Sequence, residues 1–180
     1  MLRICAVFLI LCCAPWAGAQ RGLWINVPFV RQPRDGCGAA TMSMVMEYWA
    51  GKEHRPATSA SEVEEIQRQL YVPRLHGIRP QAMEGYLRRH GYVAFGFNGK
   101  WSDLEQQIAK GRPLIVALRP SGQSELHYVV VVGIDPERGL VMMNDPAERK
   151  LLTQERAGFE KDWNATHNWV LLAVPKNAGD

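Results

Sequence analysis

A thiol, an imidazole and a carboxylate carry out acyl transfer when a fold brings them together. The thiol attacks, the imidazole moves the proton, and the third group holds the imidazole in the right tautomer. The sequence has four cysteines and five histidines from which such a set can be drawn. Cys37 lies between Gly36 and Gly38, where a turn passes into an apolar run with helical character. A helix N-terminus offers unpaired N–H groups and the positive end of the dipole, and both favour thiolate over thiol. The glycines leave room for a substrate backbone. The competing reading of Cys37 is a small buried hydrophobe, because free cysteine is among the most buried residue types.

Among the histidines, His54 and His167 lie in polar segments, His76 lies in a loop between Pro73 and Pro80, and His90 ends a helical segment. His127 differs, since it opens the very apolar run Tyr128-Val129-Val130-Val131-Val132. It is the candidate base; otherwise it marks the polar edge of a sheet. A turn-rich stretch from Asp135 to Gly139 predicts a hairpin, and if Ile134 faces Leu140 then Asp145 faces Val129. That register sets Asp145 on the same side of the sheet as His127. A one-residue slip would exchange the faces and hand the orienting role to Asn144. Asn144-Asp145-Pro146 also reads as a strand-ending turn. Gln32, five residues before Cys37, has an amide that can donate to an oxyanion beside the Cys37 N–H; without that neighbour it reads as a surface loop residue.

The elements that must position these groups follow from periodicity and punctuation. Residues 23–30 alternate enough for an edge strand. The helix opened by Cys37 is apolar nearly all round, hence central, and Gly51 marks its end. Ser61 with Glu64 reads as a capping box for a helix running towards Leu70, and Pro80 starts another that reaches Arg89 ahead of Gly91. Residues 92–97 read as a strand, and Ser102 with Glu105 as a second capping box for a helix closed by Gly111. Strands are predicted at 114–118, 127–134, 140–144 and 169–174, with a short helix or ordered loop at 153–162. Helices first and strands later predict an α+β domain, a helical N-terminal part packed on a C-terminal antiparallel sheet.

Residues 1–19 read as a signal peptide: Arg3 is positive, residues 4–13 are apolar but shorter than the roughly 20 residues of a bilayer span, and Ala17-Gly18-Ala19 suits cleavage before Gln20. The sequence of residues 11–13 disfavours a lipoprotein signal, and no later segment is long and apolar enough to span a membrane. The predicted domain is therefore residues 20–180, exported to the periplasm or outside the cell. Removing the signal takes Cys5, Cys12 and Cys13 with it and leaves Cys37 alone. One thiol supports neither an intramolecular disulfide nor a multi-cysteine metal site, and exposure to an oxidising compartment makes an idle thiol a hazard. With 47% hydrophobic and 22% charged residues the composition is that of a globular domain, and a net charge of +3 without a basic patch gives no reason to expect a nucleic-acid partner. No metal or cofactor is expected.

The ordered set Gln32, Cys37-Gly38-Ala39-Ala40, His127-Tyr128-Val129-Val130-Val131 and Asp145-Pro146-Ala147 resembles the papain-like bacterial peptidases of the C39 type. These include domains that trim double-glycine leader peptides, and stand-alone relatives. The likeness extends from Val27-Pro28-Phe29, through Ser102-Asp103-Leu104 and Gly111-Arg112-Pro113-Leu114-Ile115, to Phe159 and Trp163. It implies a papain-like α+β fold, Cys37 as nucleophile, His127 as general base, Asp145 as its orienting partner, Gln32 as oxyanion donor and a peptide or protein substrate. Gly36 stands where the family commonly has an acidic residue, with Asp35 one place earlier, and Gln32 is one residue nearer the cysteine than in many papain-like enzymes. Three functions are compatible with these residues: a secreted cysteine peptidase, an amidase or transferase acting on cell-wall peptides, and a catalytically silent binding module.

Overall fold

A computed structural model describes residues 22–122 and 124–177; the expected signal peptide lies outside the described residues. After a two-residue strand β1 (Leu23–Trp24) the chain runs in extended form to α1 (Cys37–Lys52), followed by α2 (Val63–Leu70) and α3 (Pro80–Arg89). Then come β2 (Tyr92–Asn98), α4 (Trp101–Ala109), β3 (Leu114–Leu118), β4 (His127–Asp135), β5 (Leu140–Asn144), β6 (Leu152–Glu155), α5 (Arg156–Asn164) and β7 (Trp169–Pro175). The strands form one seven-stranded antiparallel sheet in the order β2-β7-β3-β4-β5-β6, with β1 also paired to β4. The fold is α+β, with helices packed on an antiparallel sheet.

Both faces of the sheet are covered. Tyr128, Val130 and Val132 of β4 join Met42, Met44 and Val45 of α1 in one core, while Val129 and Val131 join Leu104 of α4 and Phe159 and Trp163 of α5 in the other. This explains why β4 is an unbroken apolar run rather than an alternating one: a strand buried on both sides has no solvent face to keep polar. α1 covers one face of the sheet, and α4 and α5 cover the other.

Local boundaries differ where a nearer partner outcompetes the predicted cap. Ser61 sits in a short 3-10 turn (Ser59–Ser61) and donates its hydroxyl back to the Thr58 carbonyl at 2.8 Å, so α2 begins after Glu62 without a capping box. The start of α4 is closed by the Lys100 N–H donating to Asp103 at 2.7 Å, whereas Glu105 accepts from the Trp101 indole at 2.6 Å. Gly51 lies inside the last turn of α1, not beyond it. The region read as a short helix or loop at 153–162 is a strand, β6, followed directly by α5. Only Leu23–Trp24 of the expected edge strand pairs with β4. Ile25 still donates its N–H to the Val132 carbonyl of β4 at 2.8 Å, and beyond it the Asn144 side chain holds the Val27 and Pro28 carbonyls.

The β4–β5 hairpin contains the detail that positions the site. At the turn Asp135, not Ile134, faces Leu140, so the predicted register is one residue off there. The register then shifts between Val131 and Gly133, leaving Val132 as the extra residue of a bulge. Beyond it Val131 faces Met143 and Val130 faces Asn144. The next position along aligns Asp145 with Val129, as the sequence predicts. Gly133 makes this crossing possible: a Cβ there would lie 2.7 Å from the Trp24 Cβ and 2.8 Å from the Met142 Cε. Without the bulge, Asp145 would align with Val130 and turn towards the opposite core.

Candidate active site

Cys37 is the first residue of α1, as its sequence neighbours predict, and its N–H therefore has no partner within the helix. The turn before it is braced from α2. The Gln67 amide donates to the Arg34 carbonyl at 2.8 Å, and a Cβ on Gly36 would lie 2.5 Å from the Gln67 Oε1 and 2.6 Å from the Pro33 ring. Any side chain at position 36 would force Gln67 and Pro33 to shift. Cys37 is 8% exposed, yet it lines a groove of about 320 Å³ whose walls include Leu75, Ile78 and Tyr128.

His127 stands at the start of β4 with most of its ring buried, whereas His54, His76, His90 and His167 are exposed. Its Nε2 donates to the Asp145 Oδ1 at 2.8 Å. The same oxygen accepts the Ala147 N–H at 2.9 Å, so the turn after β5 fixes the carboxylate before it meets the ring. That hydrogen bond leaves Nδ1 for the Cys37 sulfur, which acts on the same ring. Burial alone would push the imidazole pKa down; the hydrogen bonds and negative charge of Asp145 and Cys37 outweigh it and raise it to about 9. Burial opposes ionisation of Asp145 too, but His127 and the N–H groups of Ala147 and Glu148 hold its carboxyl below the usual value. The imidazole is protonated at neutral pH and the carboxylate is charged. Beside Cys37, burial drives the Tyr128 phenol well above its ordinary range, with the cysteine's charge adding to the effect.

The structure thus brings Cys37, His127 and Asp145 together from a helix start, a strand start and a turn. Asn144 does something else, and the alternative orienting role read for it is corrected. Its amide donates to the Val27 and Pro28 carbonyls at 3.2 and 3.3 Å and its oxygen accepts the Leu151 N–H at 3.1 Å. It faces the core on the far side of the sheet from Asp145 and ties the segment leading to Gln32 onto the hairpin. Gln32 is anchored by its backbone, its N–H donating to the Pro146 carbonyl at 3.0 Å, while its Oε1 is buried without a partner. The groove wall formed by residues 74–79 was not singled out from the sequence, because nothing local to those residues indicates that they pack against the start of α1.

These positions can be set beside known proteins. The sequence matches the peptidase C39-like family over residues 24–170. The chain belongs to that family. Membership places it among cysteine-type peptidases, which are hydrolases. No curated protein matches the sequence. Among solved structures, the C39-like peptidase chain resembles one described as a C39-like peptidase from Bacillus anthracis, at 16% identity and a TM-score of 0.65 over 87% of this chain and 98% of that one. It also resembles the peptidase domain of Streptococcus ComA, a bi-functional ABC transporter, at 16% identity and a TM-score of 0.65 over 84% and 100%. A third likeness, at 21% identity and a TM-score of 0.63 over 85% and 94%, is to a double glycine motif protease from an AMS/PCAT transporter in complex with its leader peptide. At these identities the likeness is one of fold. Among the described residues of this family member, no helix is long and apolar enough to cross a membrane.

Proposed function

We propose that this C39-like chain is an exported cysteine peptidase that cleaves peptide bonds through Cys37, His127 and Asp145. The observation that carries the reading is the His127 ring, which bonds Asp145 through Nε2 at 2.8 Å and is kept protonated by Asp145 together with the neighbouring Cys37. The Cys37 thiolate attacks the substrate carbonyl carbon, and the new oxyanion is met by the Cys37 N–H and the Gln32 Nε2. As the C–N bond breaks, His127 gives its proton to the leaving amine, and a thioester remains on Cys37. His127, now neutral, takes a proton from water. The resulting hydroxide attacks the thioester, and the acid product leaves with the cysteine regenerated. Asp145 stays ionised throughout and holds the ring with Nδ1 towards sulfur. Every proton is accounted for by this chain and water.

A peptide substrate is supported by the groove beside Cys37 and by the double glycine motif protease, which is similar in fold and holds a leader peptide. The departure of residues 1–19 as a signal peptide, with action in the periplasm or outside the cell, belongs to the same reading.

An electrophilic peptide probe followed by mass spectrometry tests it. The expected result is one adduct on Cys37, absent in Cys37→Ala and slowed in His127→Ala. A thiol that alkylates with the pH dependence of an ordinary cysteine, half-reacted near about pH 8.5, and that ignores His127→Ala would overturn the enzyme reading. Incubation with a peptide library and with purified peptidoglycan then separates peptidase from amidase. Turnover of peptidoglycan alone would assign the second.

A further inference from the structure

The groove wall and the turn that carries Cys37 share one carboxylate. Asp35, two residues before the cysteine, accepts the Tyr71 hydroxyl at 2.9 Å and meets the His76 Nδ1 at 3.3 Å, both through Oδ2. Tyr71 directly follows α2, and His76 ends a small finger closed on itself. In that finger the Val72 N–H donates to the Gly77 carbonyl at 2.9 Å, and the Leu75 and His76 N–H groups donate back to Val72 and Pro73 at 2.9 and 3.1 Å. Asp35 and His76 both adopt left-handed backbone, with φ of 54° and 47°. That conformation costs free energy outside glycine and persists where surrounding contacts fix it. The finger's residues 74–79 form a wall of the groove beside Cys37.

Nothing in the reaction uses Asp35, Tyr71 or His76, yet together they join the nucleophile's turn to the wall a substrate must pass. We propose that Asp35 is a positioning residue that latches this wall, so that the groove is preformed for a peptide while the thiol's own chemistry is set elsewhere. This rests on the peptidase reading above. The part-buried Tyr71 hydroxyl is the stronger half of the latch; the His76 contact is largely exposed and screened by solvent. Arg34 and Glu125 also face this cluster, and neither bonds to the carboxylate.

The latch predicts a split between two reagents that reach the same sulfur. Iodoacetamide needs only the thiolate, whereas a peptidyl chloromethyl ketone must also occupy the groove. In Tyr71→Phe, which leaves every charge in place, the peptidyl reagent should react about tenfold more slowly, while the iodoacetamide rate stays within about twofold. His76→Asn, which tolerates left-handed backbone, should show the same split at smaller size. Asp35→Asn should keep part of the peptidyl rate that Asp35→Ala loses, because an amide oxygen still accepts the Tyr71 hydroxyl. Amide hydrogen exchange at Val72, Leu75 and His76 should quicken in Tyr71→Phe. This last readout needs no turnover. If wild type reacts with iodoacetamide but never with peptidyl reagents, the peptidase reading fails, and the exchange measurement still decides the latch. Equal loss of both alkylation rates, or unchanged exchange in the finger, would overturn the proposal.

Discussion

His127, at the start of β4, and Asp145, just past the end of β5, lie 18 residues apart in the chain and 2.8 Å apart in space, aligned by the bulge at Val132 in the hairpin between them. One carboxylate oxygen accepts both the Ala147 N–H and the imidazole, so the turn after β5 and the start of β4 are tied through Asp145.

Removing the charge of Asp145 should move the alkaline limit of the reaction. With His127 raised to about 9, its proton is available to the leaving group until the pH passes that value. In Asp145→Asn the limb of kcat/KM should fall towards the ordinary imidazole value of about 6.5, and turnover at neutral pH should drop on the order of 100-fold. A pH–rate profile of both proteins checks this.

The same pair makes stability depend on pH at both ends. The His127 pKa is raised on folding, so its contribution is complete below the unfolded value of 6.5 and is lost as the pH rises towards about 9. The Asp145 pKa is lowered, so its contribution is present above the unfolded value of 3.8 and is lost as the pH falls through the folded value. Thermal unfolding followed from pH 3 to about 10 should show both losses, and Asp145→Asn should abolish the acid one and shrink the alkaline one, since Cys37 still acts on the ring.

Gln32→Ala should cost about 100-fold in kcat with the iodoacetamide rate nearly unchanged, because the proposed mechanism sets its amide against the oxyanion and not the thiol. Parallel measurement of peptide turnover and thiol alkylation separates the two effects.

Asn144→Ala should act on stability. It removes three hydrogen bonds from a fully buried amide, two of them to Val27 and Pro28. A loss of roughly 2–4 kcal/mol in urea unfolding is expected. Thiol alkylation in the folded fraction should persist.

Gly133→Ala should destabilise the hairpin by about 1–3 kcal/mol, since the added methyl meets Trp24, Met142 and the Leu23 carbonyl. A lower Tm in calorimetry checks it. The expected companion change is faster hydrogen exchange in β1.

Much of the site was legible in the sequence for local reasons. The position of Cys37 at a helix start follows from Gly36, Gly38 and the apolar run after them. His127 stands out because a polar residue opens a run of valines. Asp145 was found through a hairpin whose turn was misplaced by one residue, and the bulge at Val132 restored the alignment. That agreement was not foreseeable, because a bulge is selected by Trp24 crossing over Gly133 and by the two cores demanding opposite faces of β4. The capping boxes failed for a related reason, since Ser61 and Glu105 each found a closer partner in the folded chain.

The sequence by itself determined which groups can do chemistry, the α+β class and the likeness to C39 peptidases, because residue type and short-range pattern carry that information. Tertiary structure alone decided that Asn144 clamps the segment leading to Gln32, that helices cover both faces of the sheet and that Asp35 meets Tyr71 and His76. Those are contacts between residues dozens of positions apart, and they are chosen by packing two cores against one sheet rather than by any local preference of the chain.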